Sequence, residues 1–247
     1  MPEFLLPHWP APSILRAAVT TRAGGVSQGP YSAFNLAAHV GDDLAAVAEN
    51  RRLLREALKL PAEPLWLEQV HGCGVAECGV ASAGARADAA FADRPGQVCA
   101  VLTADCLPVL LCNRRGSRVA AAHAGWRGLA GGVLEATLAH FPDLPAEILA
   151  WLGPAIGPQA FEVGPEVRAA FLDQRPEDAA AFVSSRNGRW LANLYRLAYN
   201  RLAAYGVGFI GGGQFCTLSD PARFYSYRRE GTTGRMASLI WIEVPHE

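Results

Sequence analysis

Short apolar runs along the chain alternate with longer segments in which apolar residues recur every three or four positions, and these patterns predict strands and helices respectively. Helices are predicted at LAAVAENRRLLREALKL, with Asp42 or Asp43 as N-cap, and at GLAGGVLEATLAHF, GPEVRAAFLD and LYRLAYNRLAAYG. Strands are predicted at ILRAAV, PLWLEQVHG, ILAWL, GFIG and ASLIWIEV. Because the elements alternate without strict βαβ order, we expect an α/β (α+β-like) fold. A mixed sheet flanked by helices would then form one layered domain over residues 1–247.

The segment TADCLPVLLCNRRGSRVAAAHAGWRG has an apolar run on either side of a polar turn, which predicts a β-hairpin. A register symmetric about Arg114 and Arg115 sets Cys106 directly opposite His123, with Cβ atoms roughly 5 Å apart. Pro108 is typical of a bulge or an edge strand, and a slip of one residue would send the two side chains to opposite faces. We therefore expect Cys106 and His123 to be partners if this register holds.

A cysteine opposite a histidine supports two chemistries and one structural role. Thiolate and imidazole are ligands of metals such as zinc, and His71, at the end of a predicted strand, is the best third donor. Alternatively, His123 deprotonates Cys106 as the nucleophile of a covalent hydrolase. The third interpretation is that both are ordinary core residues. Asp105 beside the cysteine would act as acid or base, orient a histidine, or simply accept backbone hydrogen bonds.

Arginines mark candidate anion-binding sites at three places. Arg22 lies in the flexible TTRAGG turn, and Arg127 lies at a predicted helix start, where backbone N–H groups favour an anion. The turn YSYRREGTTGR collects Arg228 and Arg235 among other polar residues. The competing interpretation of each arginine is exposed surface charge, and for the turn an exposed basic run is on composition alone the commoner case. His39, in NLAAHVGDD, either approaches the site or packs within its loop.

Composition limits the function classes. Hydrophobic residues make up 51% and charged residues 18% of the chain, which supports a sizeable core. The formal net charge of -1 gives no electrostatic case for binding nucleic acid or an anionic membrane. The N-terminal MPEFLLPHWPAPSILRA lacks the features of a signal peptide, and the most apolar stretch is too short to span a bilayer. We therefore expect a cytoplasmic protein with neither a nucleic-acid nor a membrane partner.

The remaining cysteines and histidines are predicted to have no role in the chemistry. The chain has six cysteines but no CxxC pair, and we expect free thiols rather than disulfides. The cysteines predicted to lie in the core or to be incidental are Cys73, Cys78, Cys99, Cys112 and Cys216. The histidines predicted at the surface are His8, His140 and His246.

The stretches TTRAGGVS, FNLAAHVGDD, ENRRLL, WLEQVHG, VLTADCLPVLL, AAAHAGWRGLAGGVLE, WLGPAIGPQAFEVG and FYSYRREGTTGRMASLIW resemble the YfiH family over nearly the whole chain. Its members are described as multicopper polyphenol oxidases (laccase-domain proteins), purine nucleoside phosphorylases or peptidoglycan editing factors. The resemblance implies one layered α/β domain, similar in outline to cysteine-hydrolase-like deamidating toxins. It also implies zinc ligation by His71, Cys106 and His123.

The resemblance implies purine chemistry: phosphorolysis of adenosine, inosine, guanosine or methylthioadenosine, and deamination of adenosine. Nucleoside and phosphate would then be the small-molecule partners of a monomer or homodimer. The catalytic candidates are Cys106, His123 and Asp105, and the phosphate-binding candidates are Arg22, Arg127 and Arg228. The family pattern has an aspartate where this chain has Asn193, which would distinguish this member if that carboxylate mattered.

Three alternatives to the zinc enzyme stay open. One is a Cys106–His123 amide hydrolase acting on peptidoglycan precursors, and another is a domain with a structural zinc. The third is a laccase-like oxidase with copper. Multicopper chemistry needs ligand sets rich in HxH pairs, and none occurs among the six histidines, so at most one copper ion in the zinc site is compatible with the sequence.

Overall fold

The computed structural model describes residues 1–244, so that His246 lies outside the described range. The elements begin with β1 (Phe4–Leu5), β2 (Leu15–Thr20), α1 (Leu44–Leu58), β3 (Val75–Glu77), β4 (Ala89–Ala92), β5 (Val98–Thr103), β6 (Leu107–Asn113) and β7 (Val119–Ala124). They continue with α2 (Trp126–Gly131), α3 (Val133–Leu138), β8 (Ile148–Leu152), β9 (Glu162–Val163), α4 (Pro165–Leu172), β10 (Phe182–Ser184) and β11 (Trp190–Ala192). The last elements are α5 (Leu194–Tyr205), β12 (Phe209–Gly212), α6 (Tyr227–Glu230) and β13 (Met236–Ile242).

The described elements stack in layers around two sheets. Helix α1 covers a sheet of order β1-β2-β13-β5, whose other face packs on a sheet of order β12-β8-β6-β7-β4-β3. Helices α2, α3 and α5 cover the far face of this second sheet. Its β12–β8 and β3–β4 pairs are parallel and its other pairs antiparallel. The predicted α/β class with a mixed sheet flanked by helices is therefore confirmed, and a small antiparallel sheet, β10-β11-β9, is added to it.

Strand β6 is buried on both faces because alternate side chains enter different cores. Val109 and Leu111 pack toward the helices, whereas Leu110 and Cys112 pack toward the other sheet. A strand between two apolar layers reads as an unbroken apolar run rather than an alternating one. The apolar run that includes TADC is in fact two strands in different sheets, since β5 ends at Thr103 and β6 starts at Leu107.

The predicted hairpin register is wrong by two residues. The observed pairing sets Pro108, not Cys106, opposite His123. The turn comprises the four residues Arg114–Ser117, so the symmetry axis falls one residue later than predicted. A shift of two residues preserves the face of a strand, and Cys106 lies one step beyond the last ladder pair, beside Gly125. The two side chains therefore still converge.

Two predicted elements differ from the observed ones. In the first, side chains bond to the main-chain groups, and in the second a glycine interrupts the helix. The segment PLWLEQVHG forms single bridges at Leu65 and Glu68 rather than a strand, because side chains satisfy its last main-chain groups. The predicted helix GLAGGVLEATLAHF is divided into α2 and α3 at Gly132, whose φ of 97° is left-handed. Both differences occur next to the candidate site.

The ends of the longer helices agree with the sequence. Asp43 caps α1 by accepting a hydrogen bond from the Ala45 N–H at 2.9 Å, and Gly206 follows α5 with a φ of 94°. Asn193 caps α5 by accepting from the Arg196 N–H at 3.0 Å. Asparagine caps helices as well as aspartate does, so this capping role does not need a carboxylate at the position. Over residues 1–244, no helix combines the length and the apolar character that a membrane span requires.

Most of the remaining cysteines and histidines pack as predicted. All six cysteines are free thiols, and Cys78, Cys99 and Cys112 are buried in the core. His8 is exposed, but His140 is half-buried because its ring stacks on Phe91 with the centroids 4.5 Å apart.

Candidate metal centre and its cavity

His71, Cys106 and His123 converge at the open end of the β6–β7 hairpin. Their nitrogen and sulfur ligand atoms all lie within 4.8 Å of one another, and Cys106 Sγ lies 3.8 Å from His71 Nε2. The two imidazole rings meet edge to face with their centroids 4.8 Å apart. His123 is only 3% exposed, whereas His71 reaches the surface. The structure thus brings together the three residues that the sequence nominates as a ligand set.

Two unusual backbone positions and one glycine permit this convergence. His71 has a φ of 60° and Asp105 a φ of 91°, in the left-handed region that residues with side chains seldom occupy. Gly125 directly follows β7, and a Cβ there would lie 2.9 Å from Cys106 Sγ and 3.1 Å from His71 Cδ2. Glycine is required at this position because any side chain would enter the space that the two ligands occupy.

The carboxylate of Asp88, which sequence reasoning did not identify, organises the cluster. It is fully buried just before β4. Its Oδ1 accepts hydrogen bonds from His123 Nδ1 at 2.8 Å and from the His71 N–H at 2.9 Å. Its Oδ2 accepts from the N–H groups of Gly72 at 2.7 Å and Val70 at 3.1 Å. Nδ1 of His123 therefore carries a proton, which leaves Nε2 as the atom that faces the cluster.

Each charged group of the cluster stabilises the charged form of its neighbour. Burial opposes ionisation of Cys106, but the positive charge of His123 and hydrogen bonds to both histidines outweigh it and lower the thiol pKa to about 6. Burial also disfavours charged His123, yet the Cys106 thiolate and Asp88 raise the imidazole pKa to about 9. For Asp88, hydrogen bonds from His123 and from backbone N–H groups outweigh burial and lower the pKa of the carboxyl. A thiolate, the form that binds metals or attacks electrophiles, is therefore favoured near neutral pH.

The donor set fits a thiophilic metal ion. One thiolate and two imidazoles match the preferences of zinc and of copper(I). Zinc bonds of roughly 2.0–2.3 Å place the ligand atoms of a tetrahedral site roughly 3.5 Å apart. The observed separations, within 4.8 Å, therefore need a contraction of about 1.3 Å at most. Three protein ligands also leave a coordination position open, as in catalytic rather than structural zinc sites.

The cluster opens into a cavity of about 330 Å³, within the range of small-molecule sites. Its apolar wall is formed by Leu102, Trp126, Ile156, Phe161 and Tyr227. The polar groups that line it, apart from the cluster, are His39, Gln69, Thr103, Asp105, Arg228 and Arg235. Aromatic rings suit a planar ligand and a few polar groups orient it, so this composition favours binding of a small heterocycle.

Two further residues predicted for the chemistry line this cavity. Asp105 Oδ1 accepts a hydrogen bond from Thr217 Oγ1 at 2.6 Å, and its Oδ2 accepts from the Arg228 N–H at 2.7 Å. Among the described residues its hydrogen bonds go to these groups and not to a histidine, so Asp88 rather than Asp105 orients His123. Arg228 also donates from Nη1 to the Glu162 carbonyl at 3.0 Å.

The other two predicted anion-binding arginines do not line the cavity. Arg22 pairs with Glu230 at 2.8 Å and lies over the Tyr225 ring, 4.7 Å from its centroid. Arg127 is exposed and stacks on Trp126 at 4.3 Å. The residue that does line the cavity, besides Arg228, is Arg235, which the sequence offered only as one of several polar residues in a turn.

Known proteins match this chain over nearly its full length. The model of the family described as multi-copper polyphenol oxidoreductase laccase matches residues 16–243. A Pseudomonas aeruginosa protein named purine nucleoside phosphorylase PA4543 is 58% identical over 98% of this chain and 100% of its own length. The Escherichia coli protein named purine nucleoside phosphorylase YfiH is 55% identical over 98% of this chain and 100% of its own. The crystal structure of Neisseria meningitidis protein NMB0706 is 50% identical, with a TM-score of 0.94 over 98% of this chain and 99% of that one.

Proposed function

The chain belongs to the family described as multi-copper polyphenol oxidoreductase laccase, and from this premise we propose that it is a metal-dependent purine nucleoside phosphorylase. The observation that carries the proposal is the cluster of His71, Cys106 and His123 at the wall of a cavity with aromatic sides. Full-length similarity to two proteins named purine nucleoside phosphorylase, at 58% and 55% identity, supports the reaction class. A shared fold alone would not support it.

Phosphorolysis sets four tasks for the residues of the cavity. A phosphate oxygen bonds to C1′ of the ribose while the bond from C1′ to the purine nitrogen breaks, and its electron pair stays on the base, which takes up a proton. The chain must bind a flat base, hold phosphate, exclude water and provide the proton. The rings of Trp126, Phe161 and Tyr227 offer faces for the base. Arg228 is a donor to phosphate, and Asp105 is the candidate group to pass a proton from the incoming phosphate to the base.

We propose zinc, held by His71, Cys106 and His123, as the metal. A bound Zn²⁺ would supply Lewis-acid chemistry within the cavity. The contribution of the chain is to prepare the ligands. Asp88 fixes the proton of His123 on Nδ1, and the lowered pKa of Cys106 makes the thiolate available. Copper is the other metal that this donor set accepts.

The purified chain is expected to convert inosine and adenosine to free base and ribose 1-phosphate only when inorganic phosphate is supplied. Chromatography of the products, with and without phosphate, checks this. Inosine that accumulates from adenosine without phosphate would reveal the deamination that the family resemblance implies. Base release that is equally fast without phosphate would indicate hydrolysis, and failure to turn over either nucleoside would contradict the proposal.

A second candidate function rests on the order of hydrogen-bonding groups around Cys106. Asp88 holds His123, whose other nitrogen faces a thiol of lowered pKa, and this is the arrangement of a cysteine nucleophile with its base and orienting carboxylate. Such a thiol could form an acyl adduct with an amide substrate, as in a hydrolase of peptidoglycan precursors. The metal and the nucleophile are alternatives, because a sulfur that binds zinc is not free to attack.

Removal of metal separates these two functions. Dialysis against a chelator is expected to lower nucleoside turnover by about 10-fold or more, and added zinc is expected to restore it. The check is the metal content of each sample, measured by mass spectrometry, beside its rate with inosine. Full activity in metal-free protein, together with an adduct on Cys106 during turnover, would support the thiol hydrolase instead.

Polyphenol oxidation by several copper ions is not part of the proposal. Within residues 1–244, His71, Cys106 and His123 are the one group of three or more such ligands close enough to hold an ion. Multicopper oxidation needs several such groups at once.

A further inference from the structure

The arginines around the cavity differ in their partners. Arg22 and Arg229 both bond to the carboxylate of Glu230, at 2.8 Å and 3.0 Å. Among the described residues, Arg228 and Arg235 have no carboxylate within ion-pair distance, and both line the cavity. A guanidinium that faces a cavity without an ion-pair partner is free to bind an anion that enters.

Arg235 is the better placed of the two unpaired arginines. In the pairing of β13 with β5, Met236 lies opposite Thr103, so Arg235 lies just beyond this pair, at the end of β5 that leads to Cys106. Its Nη1 donates to the carbonyls of Thr233 at 2.7 Å and Gly234 at 3.0 Å. Nε and Nη2 have no partner among the described residues. Nη1 therefore holds the guanidinium in the wall of the cavity, and Nε and Nη2 remain free to donate to a ligand.

Thr103 offers a second donor on the same wall. It is 2% exposed, lines the cavity, and its hydroxyl has no hydrogen-bond partner among the described residues. A buried hydroxyl without a partner is unfavourable, and nearly all such groups in proteins are satisfied by protein, water or ligand. The hydroxyl oxygen is shielded from solvent, so it would reach a ligand in the cavity only after rotation of the Thr103 side chain.

The charges on this side of the cavity also favour an anion. Burial lowers the pKa of His39, and the positive charges of Arg235 and Arg51 lower it further. The opposing negative charges are the Cys106 thiolate and Asp105, and both act on Arg235. The two oxygens of Asp105 already accept from Thr217 and from the backbone of Arg228. A metal ion bound to Cys106 would neutralise the thiolate, and the charges of Arg228 and Arg235 would then outnumber that of Asp105 in the cavity.

We propose that Arg235, Thr103 and Arg228 form an oxyanion subsite beside the metal cluster, and that the subsite binds inorganic phosphate. The identity of the ligand rests on the proposed phosphorolysis. Arg235 would donate two charge-assisted hydrogen bonds from Nε and Nη2, and the Thr103 hydroxyl would donate a third. The aromatic side of the cavity would be left to the nucleoside.

The test is the Michaelis constant for each substrate. Arg235→Gln is expected to raise the KM for phosphate by about 10-fold to 100-fold, and Thr103→Val by about 3-fold to 10-fold. The KM for inosine should change by less than about 2-fold, because uniform damage to the fold would move both constants. Arg235→Lys keeps the charge but not the fork of donors and should fall between wild type and Arg235→Gln.

Ser238→Ala is the matched control for Thr103→Val. The Ser238 hydroxyl is likewise buried and unpartnered on the neighbouring strand, but it does not line the cavity. Arg94→Gln removes an arginine whose side chain is 80% exposed. Both controls are expected to leave the KM for phosphate unchanged. A wild-type KM for phosphate in Arg235→Gln and Thr103→Val, or an equal rise in Ser238→Ala, would overturn the proposal.

Direct binding keeps the subsite testable apart from catalysis. Calorimetric titration of the protein with inorganic phosphate, without nucleoside, should show binding that Arg235→Gln weakens. If wild type turns over no nucleoside, phosphorolysis fails as the function, but Arg235-dependent phosphate binding would still support the subsite. Equal titrations of wild type and variant would overturn it. If Arg235→Gln does not fold, Arg235→Lys and Thr103→Val carry the same comparison.

Discussion

Replacing His71 by asparagine is expected to abolish metal retention and to lower nucleoside turnover by at least about 100-fold. Loss of a group that merely supports a metal ligand typically costs about 10- to 100-fold, so loss of the ligand itself should cost no less. Asparagine is chosen because it tolerates the left-handed backbone at this position, where φ is 60°. The main-chain hydrogen bond to Asp88 is kept, since it uses the N–H of residue 71. Metal content per chain and the rate with inosine are the measurements.

The same substitution separates the three explanations for the cluster. A thiol hydrolase would lose only part of its activity, because His71 contributes one hydrogen bond to Cys106 but is not part of the Asp88–His123–Cys106 arrangement. A structural metal would make the variant lose thermal stability along with the metal. A catalytic metal predicts a folded, metal-free and inactive protein. His8→Asn, on an exposed histidine, is the control and should retain both metal and rate.

The members of the cluster could be predicted from sequence because residue type and strand parity carry most of the information. The predicted register was wrong, yet Cys106 and His123 still converge, since an error of two residues preserves the face of a strand. An error of one would have separated them. His71 was nominated because it ends a predicted strand, and the family resemblance supported it, although its position in fact depends on a loop.

Asp88 was beyond sequence reasoning because its partners are distant and mostly backbone. It lies 35 residues from His123, and three of its four hydrogen bonds come from main-chain N–H groups of the Val70–Gly72 loop. The available signal was a carboxylate directly before the fully buried run AAFA, which needs local partners if it is to remain charged. That the Thr103 hydroxyl has no hydrogen-bond partner could not be predicted either, because it depends on which groups the neighbouring elements place near it.

The fold class could be predicted, but the stacking of two sheets could not. Strands such as β6 are buried on both faces, so their sequences lack the alternation of apolar and polar residues. Without it, the sequence does not indicate which face of the strand packs on helices and which on the other sheet. The crossing between the sheets takes only Ala104, Asp105 and Cys106 and contains neither glycine nor proline. Asp105 adopts the positive φ that glycine would normally provide at such a turn. The sequence at the boundary therefore reads like the interior of a single strand.

Asp88→Asn is expected to lower the free energy of unfolding by about 3 kcal/mol and to reduce metal affinity and turnover by about 10- to 100-fold. All four groups that bond to Asp88 are donors, and asparagine has only one acceptor oxygen. If its NH₂ faces His123, the imidazole must move its proton to Nε2, which can then no longer bind a metal. If the NH₂ faces Val70 and Gly72 instead, the loop that carries His71 loses its support. Either orientation damages the site.

Asp178→Asn is the matched control for this effect, because Asp178 is also a fully buried aspartate but does not line the cavity. It accepts a hydrogen bond from Asn200 at 2.7 Å and pairs through Oδ2 with Arg175 at 3.9 Å, so its replacement tests the loss of a buried carboxylate away from the site. Urea unfolding with circular dichroism, zinc titration and the rate with inosine should all change in Asp88→Asn. In Asp178→Asn the zinc affinity and the rate should match wild type. Normal zinc affinity in Asp88→Asn would show that the ligands are organised without the carboxylate, and a fall in zinc affinity in both variants would assign the effect to general loss of packing.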